Sequence, residues 1–360
     1  MTTVAHYLER WLELSAGFVA AHVEHSRHRG VVISRDGWLN LDAFDHRPRH
    51  SLSPIRSRTP ERHKARALRL QLGAVLAAER ADIVHVHFGY AATDALAVTR
   101  RRPFVLSLHG HDVTGLLHDE PDRYRGVAPH VNAVIVPSQF LAATATAAGF
   151  AEDRICVVPS GVDTEFFTPT PLPDGPPVVA FVGRLIAKKG IPTLLDAWRT
   201  IGTAVPDASL ELVGDGPLRG LIPTDDARIT WHAPEPRRRR EQVRDLIRRA
   251  TVVVTPSETG PDGDSESLLL VNLEAAASGR PVVSTQHGGI PEYVATGTTG
   301  LLVPEADPGA LGDAVIRVLQ DRSLAMSLGE AGVPHAKQWD VRTCTSRVDD
   351  LYEELLRRVK

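Results

Sequence analysis

Short apolar stretches alternate with helical patterns along almost the whole chain, and this alternation is the feature that most restricts its fold. Strands are predicted at 82–87 and 252–255, for example. Helices are predicted at 61–79, 90–99, about 189–201 and 241–249, and Ser138 is expected to cap a further helix. Strands that alternate with helices in this way form parallel sheets with crossover helices. Such sheets bind ligands beyond the carboxyl ends of their strands, so we expect the functional loops to follow strands.

The alternation is interrupted by a proline-rich stretch at 168–177. Five prolines fall within it, and this composition disfavours both helix and strand. A chain of 360 residues is long enough for two domains, each with its own core. We therefore predict an α/β fold of two Rossmann-like domains with a cleft between them.

Composition argues against several classes of protein. A formal charge of −3 is not that of a nucleic-acid binder, which is normally strongly basic. Two cysteines, Cys156 and Cys344, do not make a disulfide framework and fit a reducing cytoplasm. The N-terminal segment carries Glu9, Arg10 and Glu13, so it lacks the apolar core of a signal peptide. No uncharged apolar run is long enough to cross a bilayer.

The stretch 266–274 places two carboxylates, Glu266 and Glu274, where a loop becomes an apolar helix. The N-terminus of a helix offers backbone N–H groups and a positive dipole end, which suit a diphosphate. Here Leu269 and Leu270 would supply those N–H groups. Eight helical steps span roughly 12 Å, which suits hydroxyl groups on a ribose and a hexose either side of a diphosphate. The alternative is two exposed acids on a helix surface.

Two further loops of the second half follow predicted strands. The segment 183–190 carries Arg184 and Lys189, which could present two cations to a diphosphate; the alternative is a solvated turn. Gly214 lies in a glycine-rich turn, to which we assign shape rather than chemistry. The arginine run at 237–240 precedes a helix and is interpreted as a solvated face.

The first half offers histidines at strand ends. His109 follows a strand, Gly110 opens space beside it and Asp112 offers a carboxylate, which makes His109 a site candidate rather than a structural histidine. His85 and His87 alternate at another strand end. Their spacing places no third ligand, so no metal site is predicted.

Together these motifs resemble those of the family 4 retaining glycosyltransferases, nearest to the exopolysaccharide and colanic-acid type of group 1 enzymes. The resemblance rests on the Glu-x7-Glu pattern, on Asp-Gly-Asp at 262–264 before it, and on His-Gly-Gly-Ile-Pro-Glu at 287–292 after it. It covers 80–340 well and the first 80 residues weakly. It implies the GT-B architecture, in which two Rossmann-like domains face each other across a deep cleft.

The resemblance also implies domain bounds. The segment 161–167 resembles the family's hinge. An N-terminal acceptor-side domain is therefore expected at 1–165, completed by a C-terminal helix at 341–360. The nucleotide-sugar-binding domain is expected at 166–340.

Residue by residue, the resemblance assigns roles at the donor site. Arg184 and Lys189 would hold the donor diphosphate, and Glu274 would bind the ribose hydroxyls. Glu266 and His109 would lie beside the donor sugar, near the reacting carbon. The catalytic set is thus His109, Glu266, Arg184 and Lys189. The donor-binding set is Arg184, Lys189, Glu266, Leu269, Leu270, Glu274, Gly214, Ser15 and Gly17.

Two departures from the family pattern bear on substrates. Ser267 and Leu269 stand where family members usually have small or helix-starting residues. Their bulk would narrow the sugar pocket, so the identity of the donor sugar stays open. Ser15 and Gly17 replace the glycine pair of the family's first loop. The basic region 46–69 is interpreted as a surface loop, or as an acceptor site for a phosphate-bearing or lipid-linked substrate at an anionic membrane.

The expected activity is transfer of a sugar from a nucleotide diphosphate sugar to an acceptor hydroxyl with α configuration, without a metal or other cofactor. The acceptor would be a carbohydrate, a lipid-linked molecule or a small molecule, and no nucleic acid is involved. The expected location is the cytoplasm, with the inner face of the membrane as an alternative. Two other functions stay open, a nucleotide-sugar 2-epimerase and a non-catalytic nucleotide-sugar-binding partner.

Overall fold

A computed structural model of the protein describes residues 1–11, 17–39, 48–52, 61–99 and 102–359. The chain divides into two compact units. The first comprises Met1–Gly161 together with Val341–Lys360, and the second comprises Val162–Asp340. Each is an α/β domain around one parallel sheet.

The sheet of the first unit has the strand order β3-β2-β1-β4-β5-β6-β7. Its core is made of Val and Ile side chains from the strands and of apolar side chains from the crossover helices. In chain order the elements are β1 (Thr3–Leu8), α1 (Gly17–His25), β2 (Arg29–Ser34), β3 (Arg49–Ser51), α2 (Glu61–Ala78), β4 (Ile83–His87), α3 (Ala92–Leu96), β5 (Phe104–Ser107), α4 (Gly115–Asp119), β6 (Ala133–Val136), α5 (Gln139–Ala147) and β7 (Ile155–Val157).

The sheet of the second unit has the order β10-β9-β8-β11-β12-β13. Its elements are β8 (Val178–Val182), α6 (Ile191–Ala204), β9 (Ser209–Val213), β10 (Ile229–His232), α7 (Arg239–Arg249), β11 (Val252–Thr255), α8 (Leu270–Ala277), β12 (Val282–Thr285), β13 (Gly300–Val303), α9 (Pro308–Gln320) and α10 (Arg322–Lys337). The last helix, α11 (Val341–Val359), belongs to the first unit. There its Val348, Tyr352 and Leu355 pack against strand residues such as Val105.

The predicted alternation of strands and helices is confirmed, and both sheets are parallel Rossmann-like sheets. Several helix and strand bounds differ from the sequence-based ones, two of them in segments that follow strands. The helix predicted at 90–99 is a short 3₁₀ turn followed by α3. The helix predicted to begin at Lys189 begins at Ile191, because Gly190 adopts a left-handed conformation (φ 65°) that ends the preceding turn.

Among the described helices, none is both long and apolar enough to cross a membrane. Both cysteines are free thiols.

Candidate active site

The loops that carry Arg184, Lys189 and Glu266 lie at the carboxyl ends of the strands in the second unit's sheet. The strand order reverses between β8 and β11, which are neighbours in the sheet. The loop after β8 carries Arg184 and Lys189, and the loop after β11 carries Glu266. The carboxyl ends of strands at such a reversal are where open α/β sheets bind ligands.

Four charged side chains form ion pairs at this edge. Lys189 Nζ lies 2.6 Å from Glu266 Oε1, and Lys188 Nζ lies 2.7 Å from Asp264 Oδ2. Lys188 Nζ also lies 3.9 Å from Glu266 Oε1. None of the four side chains is more than 13% exposed. These pairs are therefore poorly screened by salt.

The buried carboxyl group of Glu266 is ionised. Burial by itself would raise its pKa, but the ammonium groups of Lys189 and Lys188 outweigh that effect and hold the pKa of Glu266 below its usual range. Arg184 is exposed, and its charge also acts on Lys189. Three cations thus stand against the carboxylates of Glu266 and Asp264, a balance that favours an anionic ligand.

The backbone of Glu266 is fixed by the loop that follows β12. Its N–H donates to His287 Nε2 at 3.1 Å, and the N–H of Gly289 donates to its carbonyl oxygen at 2.9 Å. Because His287 Nε2 accepts, the ring proton is on Nδ1, which lies 3.0 Å from Glu305 Oε2. A Cβ on Gly288 (φ 53°) would lie 2.1 Å from the Glu266 carbonyl oxygen. This loop, interpreted from sequence as an anion nest or a tight turn, therefore positions Glu266.

Gly214 lies where two of the loops approach each other closely. Its φ of 154° and its contact with the Gly183 carbonyl oxygen, which a Cβ would meet at 1.8 Å, leave no room for a side chain. Trp231 Nε1 donates to the Gly214 carbonyl oxygen at 2.7 Å and fixes the turn. The role of shape assigned to Gly214 is consistent with this packing.

Helix α8 begins at Leu270, with Leu269 as its N-terminal flanking residue. Glu266 precedes the helix by four residues, so the span of roughly 12 Å, which assumed helical geometry throughout, does not apply. Glu274 lies within α8. Leu269 is buried, so what these two leucines could offer a ligand at the surface is their backbone.

Arg239, predicted from sequence to lie on a solvated face, interacts electrostatically with both Glu274 and Arg184. Burial raises the pKa of Glu274 to about 7, while the charges of Arg240 and Arg239 act in the opposite direction. Arg239 is half-buried, and its pKa is lowered by burial, raised by Glu274 and lowered by Arg184. The charges of Lys189, Arg184, Arg239 and Glu274 therefore act on one another within the second unit.

Three residues of this charged group, Lys188, Asp264 and Arg239, were given no site role from sequence. Lys188 stands beside Lys189 in a Lys-Lys pair, and the acid at 264 was quoted only as part of a motif, so their ion pair had no sequence signal. Arg239 lies in a run of arginines, and only the helix start at that residue would have distinguished it from its neighbours.

In the first unit, His109 lies in an aromatic setting. Its ring centroid is 4.7 Å from that of Phe18 and 4.5 Å from that of Phe88. Burial lowers the pKa of His109 to about 3, so the imidazole is neutral. Asp112, expected to offer a carboxylate, accepts instead from the backbone N–H groups of Gly89, His109 and Gly110, each at 2.9 Å. It holds the loop that carries His109.

Other predicted features of the first unit have mixed outcomes. Gly17 begins α1, whereas Ser15 lies outside the described residues. The basic region 46–69 lies partly outside them; within it, His50 Nε2 lies 2.6 Å from Glu79 Oε1, a contact inside the unit. His85 and His87 lie beside His6 and His22.

Two Rossmann-like domains, each built on a parallel sheet, are the architecture of the GT-B glycosyltransferases, and the second domain carries a cationic site at its strand ends. The family model described as Glycosyltransferase Family 4 matches residues 13–166, and the model described as Glycosyl transferases group 1 matches 176–321. The chain belongs to glycosyltransferase family 4.

Several named relatives support this membership. The GDP-mannose-dependent α-(1-6)-phosphatidylinositol monomannoside mannosyltransferase of Mycolicibacterium smegmatis is 33% identical over 75% of this chain and 76% of its own length. The amylovoran biosynthesis glycosyltransferase AmsK of Erwinia amylovora is 29% identical over 72% of this chain and 67% of its own length. WcaL of Escherichia coli, named for colanic acid biosynthesis, is 32% identical over 66% of this chain. The match spans 62% of WcaL, which is less than two thirds of that relative.

Solved structures share the fold. The crystal structure of Anabaena Alr3699/HepE in complex with UDP and glucose superposes with a TM-score of 0.79 at 19% identity, covering 98% of this chain and all of that one. Sucrose-phosphate synthase from Thermosynechococcus elongatus gives a TM-score of 0.79 at 21% identity, covering 99% of this chain and all of that one.

Proposed function

We propose that the protein is a retaining glycosyltransferase that moves a sugar from a nucleotide diphosphate sugar to an acceptor hydroxyl with α configuration. The observation that carries the proposal is the buried Lys189–Glu266 ion pair at 2.6 Å, at the strand ends of the second unit and ahead of α8. Family membership supports the class of reaction, and the charged side chains around this pair support a donor site here.

The donor diphosphate would be held by cations. Arg184 is exposed and free to reorient toward two phosphate oxygens, and Lys189 supplies a second positive charge from a buried position. The N-terminus of α8, at Leu269 and Leu270, adds backbone N–H groups. These groups would neutralise the leaving diphosphate without a metal ion. Glu274 would bind the ribose, and Gly214 would shape the space for the base.

The transfer step would proceed on one face of the sugar. The bond between the anomeric carbon and the phosphate oxygen breaks, and its electron pair goes to the diphosphate. The acceptor oxygen bonds to the same carbon from the same face, and its proton passes to the leaving phosphate oxygen. The ionised Glu266 would stabilise positive charge on the sugar, and the neutral His109 would orient it.

The acceptor class is suggested by the relatives. One is named for polysaccharide biosynthesis and another for a phosphatidylinositol mannoside, so we propose a polysaccharide precursor or a lipid-linked sugar as acceptor. A lipid-linked acceptor would place the protein at the cytoplasmic face of a membrane. GDP-mannose and UDP-glucose are the first donors to test.

Proton NMR of a reaction with purified protein tests this proposal. The protein is incubated with UDP-, GDP- and ADP-sugars and a panel of simple glycoside acceptors, and the anomeric signals are followed. We expect an α-linked product from an α-linked donor. A β-linked product would contradict retention. Conversion of the donor to its 2-epimer would identify an epimerase, and binding without any turnover would identify a non-catalytic partner.

Replacement of Glu274 by Gln tests the ribose assignment. A carboxylate accepts hydrogen bonds from two ribose hydroxyls more strongly than an amide, so we expect a Kd for the nucleotide sugar higher by about 10- to 100-fold at pH 8. Because the pKa of Glu274 is raised to about 7, ionisation is complete only above that value. Wild-type affinity should therefore fall as the pH drops below 7, and the dependence should vanish in Glu274→Gln.

Isothermal titration calorimetry with a nucleotide sugar measures both effects. The intact nucleotide sugar is the right probe, because its diphosphate is esterified at both ends and lacks the phosphate proton that titrates near pH 6. Glu330→Gln, an exposed acid on α10, is the matched control and should change nothing. Unaltered donor affinity in Glu274→Gln would refute the ribose assignment.

A further inference from the structure

Four histidines of the first unit cluster on one face of its sheet. His6 on β1 and His85 on β4 are paired in register, and His87 follows two residues along the same face. His22 on α1 lies over them. Sequence spacing alone could not bring these residues together, because they come from three separate elements.

Three of these rings form a nearly equilateral triangle. The ring centroids are 5.6 Å apart for His6 and His22, 5.5 Å for His6 and His85, and 5.8 Å for His22 and His85. One ring nitrogen from each lies within 4.8 Å of the other two. Tetrahedral zinc with Zn–N bonds of about 2.0–2.1 Å holds its nitrogen ligands about 3.3 Å apart. Inward movement of each nitrogen by about 1 Å, within reach of small ring rotations, would complete that geometry.

We propose that His6, His22 and His85 form a binding site for a divalent transition-metal ion of the Zn²⁺ class. Neutral imidazole nitrogens suit zinc, copper and nickel, whereas magnesium and calcium prefer oxygen ligands. The proposed transfer activity uses His109, whose ring centroid is 5.9 Å from that of His87, but it gives no role to His6, His22 or His85.

The surroundings supply what a metal site needs outside its ligands. Ser107 Oγ lies 2.7 Å from His85 Nε2, so it can orient that ring while Nδ1 faces the ion. The Tyr352 hydroxyl lies 2.5 Å from His85 Nδ1 and 3.2 Å from His22 Nε2. An ion at these nitrogens would replace those hydrogen bonds or take the hydroxyl oxygen as a further ligand. His87 Nε2 lies 3.0 Å from His6 Nδ1 and fixes the third ring.

A pocket leads to two of the three ligands. His22 and His85 line it, and it continues past Ser107, His109 and Thr345. That pocket offers an entry path for the ion and a place for a fourth ligand, a water or a substrate oxygen.

Metal content and metal binding test the site. The full chain, without a polyhistidine tag, is stripped with a chelator, loaded with Zn²⁺ or Co²⁺, passed through a desalting column and analysed by mass spectrometry for metal. We expect one equivalent per chain, and with Co²⁺ the visible absorption of a tetrahedral complex. His22→Gln and His6→Gln should each raise the Kd for Zn²⁺, measured against a chromophoric indicator, at least 100-fold.

Two controls keep the result interpretable. His130→Gln, an exposed histidine outside the cluster, should bind metal like the wild type. His22 is only half-buried, so His22→Gln should fold, and circular dichroism of the metal-free variants checks this. Two results would overturn the proposal: a wild-type protein that retains no stoichiometric metal, or equal metal binding in both histidine variants and the wild type. Either would leave the cluster as a hydrogen-bonded network of core histidines.

Discussion

Lys189→Met is expected to lower kcat/KM by about 10²- to 10³-fold, the usual effect of removing one preorganised donor from a developing charge. Methionine keeps the length of the side chain and removes its ammonium group. The diphosphate then loses a cation, and Glu266 loses the partner at 2.6 Å that holds its carboxylate ionised and in place. Lys188 remains at 3.9 Å from Glu266, but it can compensate only in part, because its closer partner is Asp264.

Steady-state kinetics and thermal unfolding together measure this effect. Removing one partner of a buried pair destabilises a protein by up to about 3–5 kcal/mol, so the variant has to be assayed well below its Tm. Lys337→Met, an exposed lysine on α10, is the matched control and should retain full activity. A Lys189→Met enzyme that stays folded and keeps kcat/KM within about threefold of the wild-type value would contradict diphosphate binding at this site. Such a change is smaller than the loss expected for one hydrogen bond to a charged group.

The fold could be predicted because its signal is local. Runs such as Val178–Val182 and Val252–Thr255 are continuous apolar strands that are buried on both sides in the structure, as parallel strands require. Ser138, expected to cap a helix, accepts a hydrogen bond from the backbone N–H of Leu141 at 3.2 Å. Bounds failed where a single residue decided them, as at Gly190.

The candidate site could be predicted only in part, because its contacts join distant segments. The Glu-x7-Glu pattern located Glu266 and Glu274, and a glycine-flanked loop located Arg184 and Lys189. The partner of Lys188 lies 76 residues away along the chain. No bounds were predicted for β1, and without that strand His6 could not be placed beside His85. The pairing of His6 with His85 follows from the alignment of β1 with β4. The Lys188–Asp264 pair joins loops that follow the neighbouring strands β8 and β11.

Arg280 is expected to be among the most important single residues for the stability of the second unit. It is fully buried, and its guanidinium donates to the carbonyl oxygens of Thr170 at 2.7 Å, Pro171 at 3.0 Å and Arg248 at 2.6 Å. A further bond reaches Thr170 Oγ1 at 2.7 Å. Burial lowers its pKa to about 10, so the group stays charged at neutral pH. It ties the proline-rich segment to the turn between α8 and β12.

Arg280→Met keeps the bulk of the side chain and leaves three carbonyl groups short of a donor. Because each unsatisfied buried polar group costs about 1–3 kcal/mol, we expect the free energy of unfolding to fall by about 3–5 kcal/mol. The measurement is urea denaturation followed by tryptophan fluorescence, with the slope checked for a change in cooperativity.

Arg322→Met is the matched control for this prediction, because the chain repeats the same chemistry at the surface. Arg322 donates to the carbonyl oxygens of Leu172 at 3.1 Å and Pro173 at 2.8 Å and to the Asp174 carboxylate at 2.6 Å, yet its side chain is 50% exposed. Water can replace those bonds, so the change should stay below about 1 kcal/mol. Equal losses in both variants would show that burial does not set the value of these contacts. A larger loss at Arg280 would show that its buried hydrogen bonds anchor the proline-rich segment. That anchor lies in the turn between α8, which carries Glu274, and β12, whose following loop positions Glu266.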